Sequence, residues 1–91
     1  MSDKVAIITG AGTGIGQASA AALAEKGWSI VLSGRRTEPL EETAQSLSGD
    51  ALVVSTDVTD ADSIANLFAA TRQRFGRLDL LFNNAGRGAG G

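Results

Sequence analysis

Among 91 residues there is no cysteine, no histidine and no tyrosine, and only one proline, one tryptophan and three phenylalanines. Without cysteine, neither a disulfide framework nor a thiolate metal site can form. Without histidine, metal binding would fall to carboxylates alone. These are scattered rather than clustered, so no metal site is predicted. No apolar run approaches the roughly 18 residues of a membrane span, and Met1-Ser2-Asp3-Lys4 opens no apolar leader. A net charge of -2 with no basic face argues against nucleic-acid binding. The expectation is a soluble cytoplasmic protein without a membrane or nucleic-acid partner.

What is present is order of a globular kind, with 43% hydrophobic and 20% charged residues. Strand and helix signals alternate. Val5–Thr9 reads as a buried strand, being continuous, β-branched and apolar, and Trp28–Ser33, Ala51–Thr56 and Leu78–Asn83 read as the second, third and fourth strands. Ile15–Lys26 reads as a helix with Ile15, Ala18, Ala22 and Leu23 on its apolar face and Gly27 as its stop. Thr37 is the expected N-cap of a second helix, with Pro39 in its first turn, a stripe of Leu40, Ala44 and Leu47, and Gly49 closing it. Thr59 with Asp62 resembles a capping box for a third helix, whose face carries Ile64, Leu67, Phe68, Thr71 and Phe75 before Gly76.

This alternation implies parallel strands with right-handed crossovers. The fold class is α/β, a Rossmann-like doubly wound sheet of four strands in order 3-2-1-4, with a ligand crevice between strands one and four. Residues 1–86 form the expected domain and residues 87–91 a flexible tail, since Arg87-Gly88-Ala89-Gly90-Gly91 has no periodicity.

The turn Thr9-Gly10-Ala11-Gly12-Thr13-Gly14-Ile15-Gly16 joins the first strand to the first helix. A glycine turn entering a helix N-terminus directs backbone N–H groups and the positive end of the helix dipole at an anion. A dinucleotide pyrophosphate suits it. The usual G-x-G-x-x-G is missed because Ile15 stands where its last glycine would be, and no Walker lysine follows. By itself the loop fits an ordinary β–α turn equally well.

Together with Asn83-Asn84-Ala85-Gly86 at the end of strand four, however, the T-G-x-x-x-G-x-G spacing closely resembles the short-chain dehydrogenase/reductase family. The likeness runs from about Val5 to Gly86. It implies that Gly10, Thr13, Gly14, Ile15 and Gly16 hold the cofactor pyrophosphate. It further implies that Asn84, Ala85 and Gly86 line the nicotinamide ribose, and that Asn83 braces the neighbouring strand. Asp57 and Val58, after strand three, match positions where the family contacts adenine. Asp57 equally suits a turn cap before Thr59.

NAD-binding folds of this kind place an acid about 20 residues past the glycines, on the ribose 2′-OH. Gly34 stands there instead, followed by Arg35 and Arg36. No carboxylate opposes a 2′-phosphate, and two guanidiniums can bind it. NADP(H) is therefore favoured over NAD(H), with Arg35 as the principal contact. The opposing reading has both arginines paired with Glu38, Glu41 or Glu42.

The resemblance implies hydride exchange between NADP(H) and a carbonyl or alcohol substrate, using a serine, a tyrosine and a lysine. With no tyrosine, and with Lys4 and Lys26 remote from the crevice, no catalytic residue is assigned. The chain is thus expected to be the N-terminal cofactor-binding part of an oxidoreductase, inactive alone and incomplete relative to the full fold. Relatives of this kind are commonly oligomers, and a homo-oligomer is expected. The alternatives are a non-catalytic dinucleotide-binding module and an association-prone fragment exposing Leu80, Leu81 and Phe82 on an open sheet edge.

Overall fold

The computed structural model describes residues 4–10 and 14–83, the last through its backbone only. Seven elements alternate along the chain: β1 (Val5–Thr9), α1 (Gly14–Glu25), β2 (Ser29–Gly34), α2 (Thr37–Ser46), β3 (Ala51–Ser55), α3 (Ala61–Phe75) and β4 (Leu80–Asn83). The strands form one parallel sheet in the order β3-β2-β1-β4, as the alternation predicts.

Because successive side chains on a strand point to opposite faces, β1 and β2 feed two cores. Ala6, Ile8, Ile30 and Leu32 pack beneath α1 and α2 with Ala20, Ala24 and Leu40. Val5, Ile7 and Val31 pack beneath α3 with Leu67, Leu52, Val54 and Phe75. Two central strands buried on both faces explain their unbroken apolar sequence.

The packing face of α1 differs from the predicted one. Gly16, Ala20 and Ala24 are buried, Leu23 is half-buried, and Ile15, Ala18 and Ala22 face outward. A helix so rich in alanine has almost no hydrophobic contrast around its axis. The sheet therefore selects the row of smallest residues at four-residue spacing, which lets the helix approach most closely.

Both helix-capping assignments also shift by one residue. Arg36, in extended conformation and without a side-chain cap bond, precedes α2, so Thr37 is its first helical residue. That helix ends at Ser46, whose hydroxyl donates to the Thr43 carbonyl at 2.7 Å, before an extended Leu47; Gly49 lies beyond the stop. Asp60, not Thr59, caps α3 by accepting from the Asp62 N–H at 3.0 Å. Thr59 is engaged upstream instead, where its N–H and hydroxyl both donate to Asp57 Oδ1, at 2.9 and 2.6 Å. Gly76 ends α3 as expected, in the left-handed conformation at φ 80°, with its N–H on the Arg72 carbonyl. A β-carbon would be strained in that backbone state.

At the far edge, Asp79 fastens β4 to the start of β1. Its carboxylate accepts from the Val5 N–H at 2.8 Å, and its own N–H donates to the Val5 carbonyl at 2.8 Å. Arg77 grips the same carboxylate through Nε at 2.9 Å and Nη2 at 2.8 Å. The Arg77 fork, then the Val5 amide, hold the Asp79 carboxyl below its usual pKa. Beyond this clasp Leu80 and Leu81 remain exposed, whereas Phe82 turns into the first core.

Candidate functional site

The C-terminal ends of three strands converge on a cavity of about 320 Å³ lined by Thr9, Gly10, Ser33, Gly34, Arg35, Thr56, Val58 and Thr59. In open parallel sheets the crevice beyond the strand ends is where ligands bind. The cavity brings together Gly10, Arg35 and Val58, residues read from three separate stretches of sequence.

At its inner wall β1 ends in Gly10, which takes a positive φ of 66°. That conformation turns the chain sharply out of the strand, and a residue with a side chain would resist it. On the other side of the turn α1 starts at Gly14 with no acidic residue in its first turn. A β-carbon built on Gly14 would meet no atom of the described residues within 4 Å. Its leading N–H groups have no intrahelical acceptor. Ile15 is 66% exposed beside them, while Gly16 is buried against the sheet. An anion approaching here meets amides and dipole, with no carboxylate in the first turn to oppose it.

The outer wall is the loop after β2. Thr56 N–H donates to the Gly34 carbonyl at 2.7 Å, and the Ser55 hydroxyl donates to the Arg35 carbonyl at 3.1 Å. These bonds fix the backbone that carries the two arginines. Their side chains then diverge. Arg36 lies 4.0 Å from Glu38, both well exposed, which is one of the pairings weighed from sequence. Arg35 instead reaches across the rim, and its Nη2 lies 3.4 Å from Asp57 Oδ1. Hydrogen bonds from Thr59, more than the Arg35 charge, hold the Asp57 carboxyl below its usual pKa. Val58 is half-exposed beside it.

Sequence reasoning did not single out Thr9, Ser33, Thr56 or Thr59 as lining residues. Thr9 opens the T-G-x-x-x-G-x-G turn, and the other three carry only a positional signal, each lying at or just past the C-terminal end of a strand. Ser33 Oγ is the notable one: it is buried and has no hydrogen-bond partner among the described residues. Thr13, Asn84, Ala85 and Gly86, together with the proposed tail at residues 87–91, lie outside the described residues. Among the described residues no cluster of potential metal ligands occurs, and no helix is long and apolar enough to cross a membrane.

A sheet of this order with a glycine turn at its switch point is shared by many dinucleotide-binding folds, so the sequence model of the family decides the assignment. The model for short chain dehydrogenase matches residues 4–91. The chain belongs to the short-chain dehydrogenase family. An uncharacterized oxidoreductase of Staphylococcus aureus (strain USA300) is 47% identical over 88 residues, which are 96% of this chain and 38% of that relative. The chain therefore spans well under half the length of the curated relatives it matches. Among solved structures, a metagenomic short-chain oxidoreductase in complex with NADP superposes with a TM-score of 0.91 at 36% identity. That match covers 97% of this chain and 41% of the other. Glucose dehydrogenase of Caenorhabditis elegans, in its apo form, gives 0.87 at 40% identity, covering 96% of this chain and 39% of its own. Short-chain dehydrogenases bind a nicotinamide dinucleotide.

Proposed function

We propose that this chain supplies the NADP(H)-binding part of a short-chain dehydrogenase that transfers hydride between the nicotinamide and a carbonyl or alcohol substrate. The observation that carries the reading is the side-chain-free Gly34 followed by Arg35 at the rim of the crevice, where an acid would favour NAD. Support also comes from the NADP-bound relative at a TM-score of 0.91.

In this reading residues 1–86 form a cofactor-binding unit. The open start of α1, with Gly10, Thr13, Gly14, Ile15 and Gly16, receives the pyrophosphate. Gly34 leaves room for a 2′-phosphate, and Arg35 neutralises it with a planar fork of donors. Arg36, engaged with Glu38, plays the lesser part. Asp57 and Val58 border the adenine, and Asn84, Ala85 and Gly86 meet the nicotinamide ribose. When bound, the nicotinamide supplies or accepts the hydride. These 91 residues contain no tyrosine, and the proposal gives them binding and orientation of the cofactor rather than proton transfer.

Arg35→Ala tests the reading. NADP+ affinity should fall about tenfold, the loss of a partly exposed charge-assisted contact, with NAD+ affinity nearly unchanged. Calorimetric titration reads both. An unchanged NADP+ dissociation constant would remove Arg35 from the site.

A further inference from the structure

Resting on the dinucleotide reading above, we infer that Asp57 tunes the choice between NADP and NAD by competing with the 2′-phosphate for Arg35. The Asp57 carboxylate is anchored, since Oδ1 accepts from both the N–H and the hydroxyl of Thr59. In addition, the Asp57 N–H donates to Ser63 Oγ at 2.8 Å, tying the backbone to α3. The guanidinium is the looser partner. Its side chain is 69% exposed, and 3.4 Å is long for a charge-assisted bond.

Arg36 is not among the residues that line the cavity, and its guanidinium lies 4.0 Å from Glu38. Arg35 is also the only cation among the described residues that line the cavity. A 2′-phosphate arriving beside Gly34 must draw this guanidinium from Asp57 or share it. Either outcome weakens one attraction as the other forms. NAD carries a neutral hydroxyl at the same atom and incurs no such competition. Asp57 therefore selectively weakens NADP binding and narrows the margin by which this site prefers it. Exposed ion pairs are weak, so the expected effect is a few-fold.

The test is the ratio of dissociation constants for NAD+ and NADP+, measured by calorimetry on the protein. Asp57→Asn keeps an oxygen for the two Thr59 donors and removes the charge, and Asp57→Ser is a second variant that retains an acceptor. Any change in an adenine contact affects both cofactors and cancels in the ratio. The ratio should move about two- to fivefold in favour of NADP+ in either variant. In an Arg35→Gln background the same substitutions should leave it unmoved, the signature of coupling through Arg35. An unchanged or reversed ratio, or an equal gain without Arg35, overturns the inference while leaving the dinucleotide reading intact. Failure of the unaltered protein to bind either cofactor overturns that reading itself and this inference with it.

Discussion

Under the proposed NADP(H) reading, Gly34→Asp is expected to turn the cofactor preference toward NAD+. The substitution is sterically permitted: a β-carbon there would come 3.4 Å from Leu40 Cδ2, an ordinary van der Waals contact with a flexible side chain. In that reading its carboxylate would stand close to the 2′-phosphate. Two unit charges 4 Å apart interact by about 4 kcal/mol at an effective dielectric near 20, less when exposed to water and salt. NADP+ affinity should therefore fall roughly 100-fold. The same carboxylate can accept from the ribose 2′-OH of NAD+, improving that affinity up to about tenfold. Parallel titrations with the two cofactors measure both changes. If NADP+ still binds Gly34→Asp as well as the original protein, the 2′-phosphate does not lie beside β2.

Ile8→Ala should cause the largest loss of stability among single changes near the site. Ile8 is fully buried near the end of β1, two residues before Gly10, beneath α1 and α2. Removing its branched side chain leaves a cavity that close-packed neighbours fill only in part, at a cost of about 2–5 kcal/mol. Domains of this size have roughly 5–15 kcal/mol in total, so the midpoint of chemical denaturation should drop sharply. The contrasting variant is Ile15→Ala, only seven residues along. Ile15 is 66% exposed, and its truncation should alter stability by about 0.5 kcal/mol or less. Equal effects from the two would contradict the burial that places α1 on the sheet.

The two isoleucines also illustrate what sequence could and could not convey. Strand order was legible because strands alternate with helices, the pattern of a doubly wound parallel sheet, with Gly27 and Gly76 marking two of the helix stops. The phase of α1 was not, since five alanines leave no contrast from which to choose a face, and proximity to the sheet settles it. Capping was ambiguous wherever several side-chain oxygens crowd one loop. In Asp57-Val58-Thr59-Asp60 the two aspartates divide the work, Asp57 binding Thr59 and Asp60 binding the Asp62 amide.

For the candidate site, the glycine turn and Arg35 could be read from local spacing. The Arg35–Asp57 pair could not. Those residues are 22 apart in sequence and meet only because β2 and β3 are neighbours whose ends stop at the same level. Likewise Ser33 gave no signal as a polar group without a partner, because burial of its hydroxyl depends on the layers above and below β2.

Backbone amide shifts of the isotope-labelled protein during titration with NADP+ address the site itself. If the first turn of α1 cups a diphosphate, Gly10, Gly14, Ile15 and Gly16 should show the largest changes, with Arg35 and Asp57 following at the same apparent affinity. Saturable shifts confined to the outer face of α3, around Phe68 and Arg72, with the glycine turn unmoved, would contradict it.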